Sequence, residues 1–201
     1  MTLILLDTNA YLRLAKRVRP AIGVKFGQKD YVLTIHKTTE DEVHRSPRLR
    51  SKFPWFDDAE HAEERLAKQV RLTEQERSQL EIVKGVLHGS VLGDPLRFMV
   101  GKREPPSEND CFLLAIGQVK PAIVVTDDLG MHLLAEDFGL KVWHGHELLH
   151  KLFSANIVDR SVVVAIFEAL EAYGNDDLPA TWRAVKHTKF AKIFGKAPPP
   201  V

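Results

Sequence analysis

The stretch LILLDTN, residues 3–9, decides the fold that the sequence predicts. It begins as an uninterrupted apolar run, which is typical of a strand buried on both faces of a parallel sheet. The run ends directly at Asp7, and Thr8 or Asn9 can then cap a helix over residues 10–17. A carboxylate that directly follows a buried strand is costly unless something compensates its charge. These residues therefore predict both a parallel sheet and a compensated acid at its edge.

Further apolar runs alternate with segments of helical periodicity along the chain. This alternation is typical of a parallel sheet with helices on both faces, in which the ligand crevice lies beyond the carboxyl ends of the strands. We therefore predict an α/β fold of three layers, with a parallel sheet between two layers of helices. The predicted strands are residues 2–6, 30–36, 121–126 and 140–143, and the predicted helices are residues 10–17, a helix carrying Glu42, and residues 107–119, 131–138, 146–152 and 157–173.

Residues 56–90 form a densely charged segment that interrupts this alternation. Glutamates alternate with lysines and arginines at helical spacing over residues 57–71 and again over residues 73–87. We predict two amphipathic helices that project from the sheet as an arm. Their predicted apolar faces are Ala59, Ala62, Leu66 and Val70 on the first helix and Leu80, Val83 and Leu87 on the second.

The remaining segments define the predicted domain boundaries. Residues 93–106 carry two glycines and three prolines, so we predict a loop there. The chain then divides into an α/β domain over residues 1–152, which includes the arm, and a C-terminal helical extension over residues 153–201 that packs on the same domain.

Composition sets limits on the class of protein. A chain of 201 residues with 44% hydrophobic residues can bury the core of one domain. The formal net charge of +1 argues neither for nor against nucleic acid as a partner. The single cysteine, Cys111, excludes an internal disulfide and fits a reducing cytoplasm. No apolar run approaches the ~20 residues of a membrane span, and the N-terminus lacks the basic region of a secretory signal, so we expect a cytoplasmic protein with no membrane partner.

Acidic residues recur where predicted strands end or where the following helices begin. Asp7 follows the first strand, and Asp127 and Asp128 follow the strand in AIVVTDDLG. Glu42 in HKTTEDEV and Asp110 in PPSENDCFLLAIG lie in the first turns of helices. Carboxylates that converge on one edge repel each other, and a hard divalent cation bound through oxygen compensates them most simply. The pattern therefore predicts a metal-dependent enzyme that acts on phosphate esters.

Each acid also has a structural interpretation of its own. Asp-Thr-Asn is a common start of a helix, and Thr-Asp-Asp-Leu-Gly is a common turn between a strand and a helix. Taken singly, an acid in such a place is more often structural than catalytic. The combination favours function, because serine or asparagine would cap four helices equally well.

In the order and spacing of these motifs, residues 1 to about 152 resemble the PIN-domain nucleases. The matching features are an apolar run followed by Asp-Thr-Asn, Glu42-Val43 after a strand, Asp110 at the start of a helix followed by LLA, Thr126-Asp127-Asp128 after an apolar strand, and Gly139-Leu140-Lys141-Val142 after a helix. Each motif is weak alone, whereas the ordered set is specific. The resemblance implies a Rossmann-like fold and a ribonuclease that uses Mg²⁺ or Mn²⁺.

The resemblance also implies roles for individual residues. By position, Asp7, Glu42, Asp110 and Asp128 match the catalytic acids of the family, with Asp7, Asp110 and Asp128 as metal ligands. Glu40 and Asp41 are adjacent to Glu42, and residues 40 and 42 point to different faces of a helix, so at most one of these two reaches the site. The auxiliary positions are Thr8, Asn9 and Thr126, together with Asp127, which is either an auxiliary acid or a solvent-facing one.

Partners follow from the same resemblance. Many members are the toxins of type II toxin–antitoxin pairs, such as the VapC-type toxins, so it implies an RNA substrate, an antitoxin protein and a homodimer as partners. The charged segment and the C-terminal extension depart from the small toxins of the family. An alternative is a PIN-like scaffold that binds RNA or protein with weak or no nuclease activity. A phosphohydrolase with Asp7 as nucleophile is disfavoured, because the second acid such enzymes usually need is replaced by Asn9.

Basic side chains that could contact RNA phosphates occur near the first acid. Arg13 and Arg17 lie one helical turn apart next to Asp7, so we predict that they bind RNA. The other basic candidates are Lys16, Arg19, Arg45, Arg48, Arg50, Lys52, Lys102, Arg103, Lys186, Lys189, Lys192 and Lys196.

A histidine cluster and an aromatic tail carry weaker signals. His146 and His150 have the i, i+4 spacing of a transition-metal pair and His144 is close by, but nine histidines in 201 residues make chance clustering the simpler interpretation. Trp182 and the two phenylalanines of the tail are expected to pack on the core.

Overall fold

A computed structural model describes residues 1–18, 22–101, 103–172 and 179–196. Arg19 and Lys102, two of the predicted basic candidates, lie outside the described residues. The five strands of the described ranges are β1 (Thr2–Leu6), β2 (Lys25–Phe26), β3 (Tyr31–Thr34), β4 (Ile123–Val125) and β5 (Val142–Trp143). They form one sheet in the order β2–β3–β1–β4–β5, in which β2 is antiparallel to β3 and all other pairs are parallel.

The mixed α/β fold with a mostly parallel sheet is confirmed, and the four predicted strands correspond to β1, β3, β4 and β5. The edge strand β2 was not predicted. It is only two residues long, which is too short to show the alternation that identifies a strand. Gly27, with a φ of 67°, turns the chain from β2 back into β3.

Helices connect and flank the strands. Two short ones were not predicted: one begins at Pro47 directly after Ser46, and one interrupts the predicted loop 93–106. In the latter, Asp94 accepts a hydrogen bond from the backbone N–H of Arg97, so the loop prediction is wrong there. The helices are α1 (Thr8–Val18), α2 (Lys37–Arg45), α3 (Pro47–Lys52), α4 (Ala59–Lys68), α5 (Glu74–Gly93), α6 (Pro95–Phe98), α7 (Glu108–Val119), α8 (Leu129–Asp137), α9 (Gly145–Ser154), α10 (Arg160–Ala172), α11 (Ala180–Lys186) and α12 (Ala191–Phe194), with a 3-10 turn at Pro54–Asp57 between α3 and α4.

Side chains on the two faces of the sheet join two separate clusters of buried residues. Ile4 and Leu6 of β1 join a cluster with α1, α9 and α10, whereas Leu5 joins a cluster with α5, α7 and α8. Successive residues of a strand point to opposite faces, so this division follows from the period of the strand. Helices therefore cover both faces of the sheet.

The charged segment does not project as an arm, and that prediction is wrong. Helix α5 lies along α7, and its Leu80, Leu87 and Val91 are buried in the same cluster as Leu114. The twenty residues of α5 thus complete one helical layer of the fold.

The predicted apolar face of α4 is also wrong. The helix buries His61 and Arg65, while Leu66 is 65% exposed. The guanidinium group of Arg65 lies 3.7 Å from the centroid of the Phe56 ring and donates hydrogen bonds to the Phe56 carbonyl and to Glu40. Stacking on an aromatic ring and full hydrogen bonding offset the burial of this charge, which a hydrophobic pattern does not detect.

The described part of residues 153–201 supplies α10, α11 and α12. Phe167, Trp182 and Phe190 of this segment are buried in the same cluster as Tyr11 of α1. Trp182 and Phe190 therefore pack on the core as expected. Among the described residues, no helix combines the length and the apolar composition that crossing a membrane requires.

The order of the strands creates a break in the winding of the sheet. From β1 the chain passes to β3 on one side, and it later returns to β4 on the other side. The gap between the carboxyl ends of β1 and β4 is therefore a topological switch point, where parallel α/β sheets form their ligand crevice. Asp7 follows β1 at this point and donates its backbone N–H to the Val125 carbonyl of β4 at 3.0 Å.

Candidate functional site

Asp7 lies buried at the switch point. Its Oδ1 accepts a hydrogen bond from the backbone N–H of Ala10, so the carboxylate also caps α1. Burial raises the pKa of Asp7 to about 7, and the nearby charge of Asp127 adds to the increase, while Thr126, Ala10 and Arg13 oppose it. The fold thus holds a carboxylate that is only partly compensated for its loss of water.

Glu42 is the acid of α2 that reaches this region. The Thr8 hydroxyl donates a hydrogen bond of 2.5 Å to its Oε2. Burial raises the pKa of Glu42, the hydrogen bond from Thr8 opposes that increase, and the charge of Asp110 adds to it. Glu40, the alternative that the sequence left open, is occupied elsewhere by Arg65 and by Gln69, whose Nε2 donates to it at 2.9 Å.

Asp110 both caps α7 and lies close to other acids. Its Oδ2 accepts hydrogen bonds from the backbone N–H and the hydroxyl of Ser107 at 2.8 and 2.7 Å, which is the capping pattern predicted from the sequence. Burial raises the pKa of Asp110, the bonds from Ser107 oppose this, and the charge of Asp128 raises it further. Capping therefore accounts for one oxygen of Asp110 and leaves the repulsion from Asp128 uncompensated.

Asp128 caps α8. Its Oδ1 accepts a hydrogen bond of 2.9 Å from the backbone N–H of Met131, and its own N–H donates to the Thr126 hydroxyl at 3.1 Å. A Cβ atom at Gly130 would lie 2.6 Å from the Phe98 carbonyl, so glycine permits the close approach that fixes this turn. In the described residues, the other oxygen of Asp128 and Oδ1 of Asp110 accept no hydrogen bond.

Asp127 is compensated by the protein itself. The Arg13 guanidinium and the Trp182 indole N–H each lie 2.8 Å from its Oδ2, and the Gly145 N–H donates to its Oδ1 at 3.1 Å. Burial alone would raise the pKa of Asp127, but His144, Arg13, Trp182 and Gly145 together lower it.

Asp127 consequently does not face solvent, and that alternative is wrong. At Gly145, a Cβ atom would lie 2.8 Å from the Trp182 ring and 3.1 Å from Asp127, so only glycine fits between them. Arg13, which we predicted to bind RNA, donates a hydrogen bond from Nη1 to Asp127.

Three histidines stack beside Asp127. The rings of His132 and His144 are 3.9 Å apart and those of His144 and His146 are 5.1 Å apart, both nearly parallel. Burial lowers the pKa of His146 to about 4, with His144 as the next cause, so this imidazole is neutral at pH 7. His150 lies apart from this stack and packs against the ring of Phe190.

The remaining auxiliary residues differ in exposure. Thr8 and Thr126 are buried, whereas Asn9 is exposed at the start of α1. Burial raises the pKa of the Cys111 thiol to about 12, which excludes it as a nucleophile or thiolate ligand near pH 7.

The described residues contain no group of three or more histidine, cysteine, aspartate or glutamate side chains arranged to hold a metal ion jointly. The acids instead influence one another in pairs, Glu42 with Asp110 and Asp110 with Asp128. Such pairs offer only oxygen ligands, which hard cations prefer, and Mg²⁺ usually keeps several waters and binds one or two carboxylates. The residues present therefore fit a hydrated Mg²⁺ or Mn²⁺ ion better than a fully protein-bound metal.

Sequence reasoning missed three contributors to this region: His132, Gly145 and the contact of Trp182 with Asp127. His132 is distant in sequence from His144, His146 and His150, and Trp182 is 55 residues away from Asp127 along the chain. Neither residue is therefore part of a local sequence pattern. Gly145 alone could have been suspected, as a glycine directly before a helix after a strand. No model of a known protein family matches the chain, and no curated protein is detectably similar to it.

Proposed function

We propose that this protein is a Mg²⁺- or Mn²⁺-dependent endoribonuclease of PIN-like type, acting on RNA phosphodiester bonds. The observation that carries the proposal is the raised pKa of Asp7, Glu42 and Asp110 at the switch point of the sheet. Buried acids with raised pKa values in a crevice mark functional sites more often than ordinary surface does. The neighbouring Asp127 is also buried, but its pKa is lowered, because other groups of the protein compensate its charge. A buried acid in this fold can therefore be fully compensated.

The reaction would be hydrolysis of a phosphodiester by water. A divalent cation, when bound, lowers the pKa of a coordinated water and offsets negative charge on the leaving oxygen. The oxygen of the water forms a bond to phosphorus, the ester P–O bond breaks, and the leaving oxygen takes up a proton. Asp7 in its ionised form would hold the cation through Oδ2, because Oδ1 is engaged with Ala10, and the proton of the attacking water would pass to the solvent.

The other residues hold the acids in place. The Thr8 hydroxyl fixes Glu42 against the start of α1, and Ser107 fixes Asp110 through two hydrogen bonds. Asp128 is fixed by the N–H of Met131. Groups that are fixed before substrate arrives need no reorganisation during the reaction, which is the usual role of such supporting contacts.

Cleavage of a single-stranded RNA with Mg²⁺ or Mn²⁺ tests the proposal, comparing the wild type with Asp7→Asn and Asp128→Asn. Asparagine keeps the oxygen that caps the helix and removes the charge, so loss of activity would report the charge alone. Asp41→Asn, on the same helix as Glu42, is the matched control and should remain active. Undiminished cleavage by both site variants would contradict the proposal.

A PIN-like scaffold that binds RNA or protein without cleaving it is the second candidate. The observation in its favour is that no three ligand side chains come together within the described residues. Calorimetric titration with Mn²⁺ separates the two candidates. The nuclease should bind Mn²⁺ and lose that binding in Asp7→Asn, whereas a scaffold without a metal site should show no such binding.

The toxin role is a narrower version of the main proposal. It adds an antitoxin protein and a homodimer as partners and a cytoplasmic location. Growth arrest on expression, relieved by the product of a small neighbouring gene for a DNA-binding protein, would support it. Growth unaffected by active enzyme would argue for a free-standing ribonuclease.

A further inference from the structure

A cavity of about 360 Å³ lies between α1, α3, the 3-10 turn and α10, and nothing in the catalytic proposal uses it. Among the described residues, its walls carry five cationic side chains, three from α1 and two from α3, and no acidic one. Phe53 and Trp55 supply aromatic surface to the same cavity. The cationic residues are Arg13, Lys16, Arg17, Arg48 and Lys52, and we refer to this cavity as the basic groove.

Several cations elsewhere in the fold have acidic partners, whereas three of those in the basic groove have none among the described residues. Arg50, which does not line the groove, lies 3.6 Å from Asp57, and Arg13 is paired with Asp127. Lys16, Arg17 and Arg48 form no ion pair within the described residues. Clustered like charges raise the local potential and favour an anionic ligand.

The aromatic residues narrow the choice of anion. Phe53 and Trp55 are half-buried, with ring centroids 6.3 Å apart, and the ammonium group of Lys52 lies 5.8 Å from the centroid of the Phe53 ring. Cations that follow a backbone together with aromatic rings that stack on bases are the combination by which proteins bind single-stranded nucleic acid. A duplex, whose bases are already stacked on each other, could use only the cations.

The groove is also continuous with the acidic edge of the sheet. Asn9 lines the groove and is two residues after Asp7, at the start of α1. A helix rises about 1.5 Å per residue, so Arg17 lies about 12 Å further along the same helix. A strand with its scissile phosphate at the acids would thus pass directly into the groove.

We propose that the basic groove binds single-stranded RNA next to the site of cleavage, with phosphates on Lys16, Arg17 and Arg48 and a base stacked on Phe53 or Trp55. The choice of RNA over other single strands rests on the proposed function. The groove would supply binding and orientation, whereas the acids supply the chemistry.

Fluorescence anisotropy of a short labelled single-stranded RNA, measured in EDTA so that no cleavage occurs, tests this proposal on the full chain. The variant Lys16→Glu/Arg48→Glu reverses two exposed charges of the groove. Arg77→Glu/Lys141→Glu reverses one exposed arginine and one exposed lysine elsewhere and gives the same net charge. We expect the groove variant to bind at least tenfold more weakly. The slope of the logarithm of the binding constant against the logarithm of the salt concentration should become shallower by about 1.4, that is, by about 0.7 for each lost phosphate contact.

The aromatic part of the groove is tested with Phe53→Leu, which keeps apolar volume and removes the ring. We expect about fivefold weaker binding of the single strand and no change for a duplex of the same length. Weakening of the control variant as much as the groove variant, or equal binding of duplex and single strand by the wild type, would overturn the proposal. Binding in EDTA and cleavage in Mg²⁺ or Mn²⁺ are both measured on the wild type, so intact, groove-dependent binding without any cleavage would overturn only the proposed catalytic function.

Discussion

Two sets of buried or half-buried carboxylates meet at the carboxyl edge of the sheet, and the fold compensates them differently. Asp127 is surrounded by Arg13, Trp182 and Gly145, and its pKa is lowered despite burial. Burial raises the pKa of Asp7 and of Asp110, and a neighbouring acid raises each pKa further. The difference shows that this fold compensates one acid with its own groups and leaves others uncompensated, which is what the proposed metal site requires.

The largest effect of this contrast should appear in catalysis. We expect Asp110→Asn to reduce the rate of RNA cleavage on the order of 100-fold, because removing one preorganised electrostatic group from an active site has effects of that size. The cap on α7 should persist, since the asparagine oxygen can still accept from Ser107. Glu108→Gln, which changes an exposed acid of the same helix, serves as the control and should cleave at the wild-type rate. A rate unchanged in Asp110→Asn would remove this acid from the site.

The next effect concerns the compensated acid. Asp127→Asn should lower the free energy of unfolding by about 3 kcal/mol, because it leaves the half-buried guanidinium of Arg13 without its partner charge. Urea denaturation at pH 7 measures this change. Trp182→Phe, which removes the indole N–H from the same carboxylate together with part of a fully buried ring, should cost about 2 kcal/mol. If Asp127→Asn is as stable as the wild type, the contrast between the two sets fails.

The uncompensated acid should behave in the opposite way. Asp7→Asn should raise the free energy of unfolding by about 2 kcal/mol at pH 8 in EDTA, because the wild type must then carry a buried charge. The shift of the pKa from 3.8 to about 7 sets an upper limit of about 4 kcal/mol, which relaxation of the site reduces. Saturating Mg²⁺ should stabilise the wild type more than the variant.

The same group predicts a pH dependence. Between about pH 4 and pH 7 the folded wild type keeps the Asp7 proton that the unfolded chain releases, so its stability relative to Asp7→Asn should fall as the pH rises through this window. Above pH 7 the difference should stay constant. A difference that instead grew in favour of the wild type as the pH rose would mean that Asp7 is compensated like Asp127.

The smallest effect is expected from a supporting residue. Thr8→Val removes the hydroxyl that donates to Glu42 and should weaken Mn²⁺ binding about tenfold, since partners of this kind typically contribute 10- to 100-fold in affinity. The stability of the protein should change by less than about 1 kcal/mol. Calorimetry and thermal unfolding of the same sample give both values. A loss of stability without a loss of Mn²⁺ affinity would make the contact between Thr8 and Glu42 purely structural.

The sheet and the positions of its acids could be predicted from the sequence because both depend on local patterns. An apolar run bounded by Asp7 identifies a buried strand, and Ser107 with Asp110 identifies a cap. The alternating side chains of β1 then account for both helical layers. Edge strand β2 and helix α6 were too short to show any period.

The parts that sequence reasoning did not find depend on contacts between distant segments. Arg65 is buried because its guanidinium group stacks on Phe56 and pairs with Glu40. The hydrophobic pattern of α4 predicted that Leu66 would be buried instead. Asp127 differs from Asp128 through Trp182 and Arg13, neither of which is close in sequence. The basic groove likewise needs α1 and the 3-10 turn to meet.

Calorimetric titration of Mn²⁺ into the wild type and into Asp110→Asn tests the central claim most directly, with Asp41→Asn as control. We predict binding by the wild type and the control, accompanied by release of protons near pH 7, because acids with raised pKa values must ionise to take the cation. Buffers of different ionisation enthalpy measure that release. We predict that Asp110→Asn binds at least tenfold more weakly. Absence of binding by the wild type, or equal binding by Asp110→Asn, would contradict the claim that these acids await a metal ion.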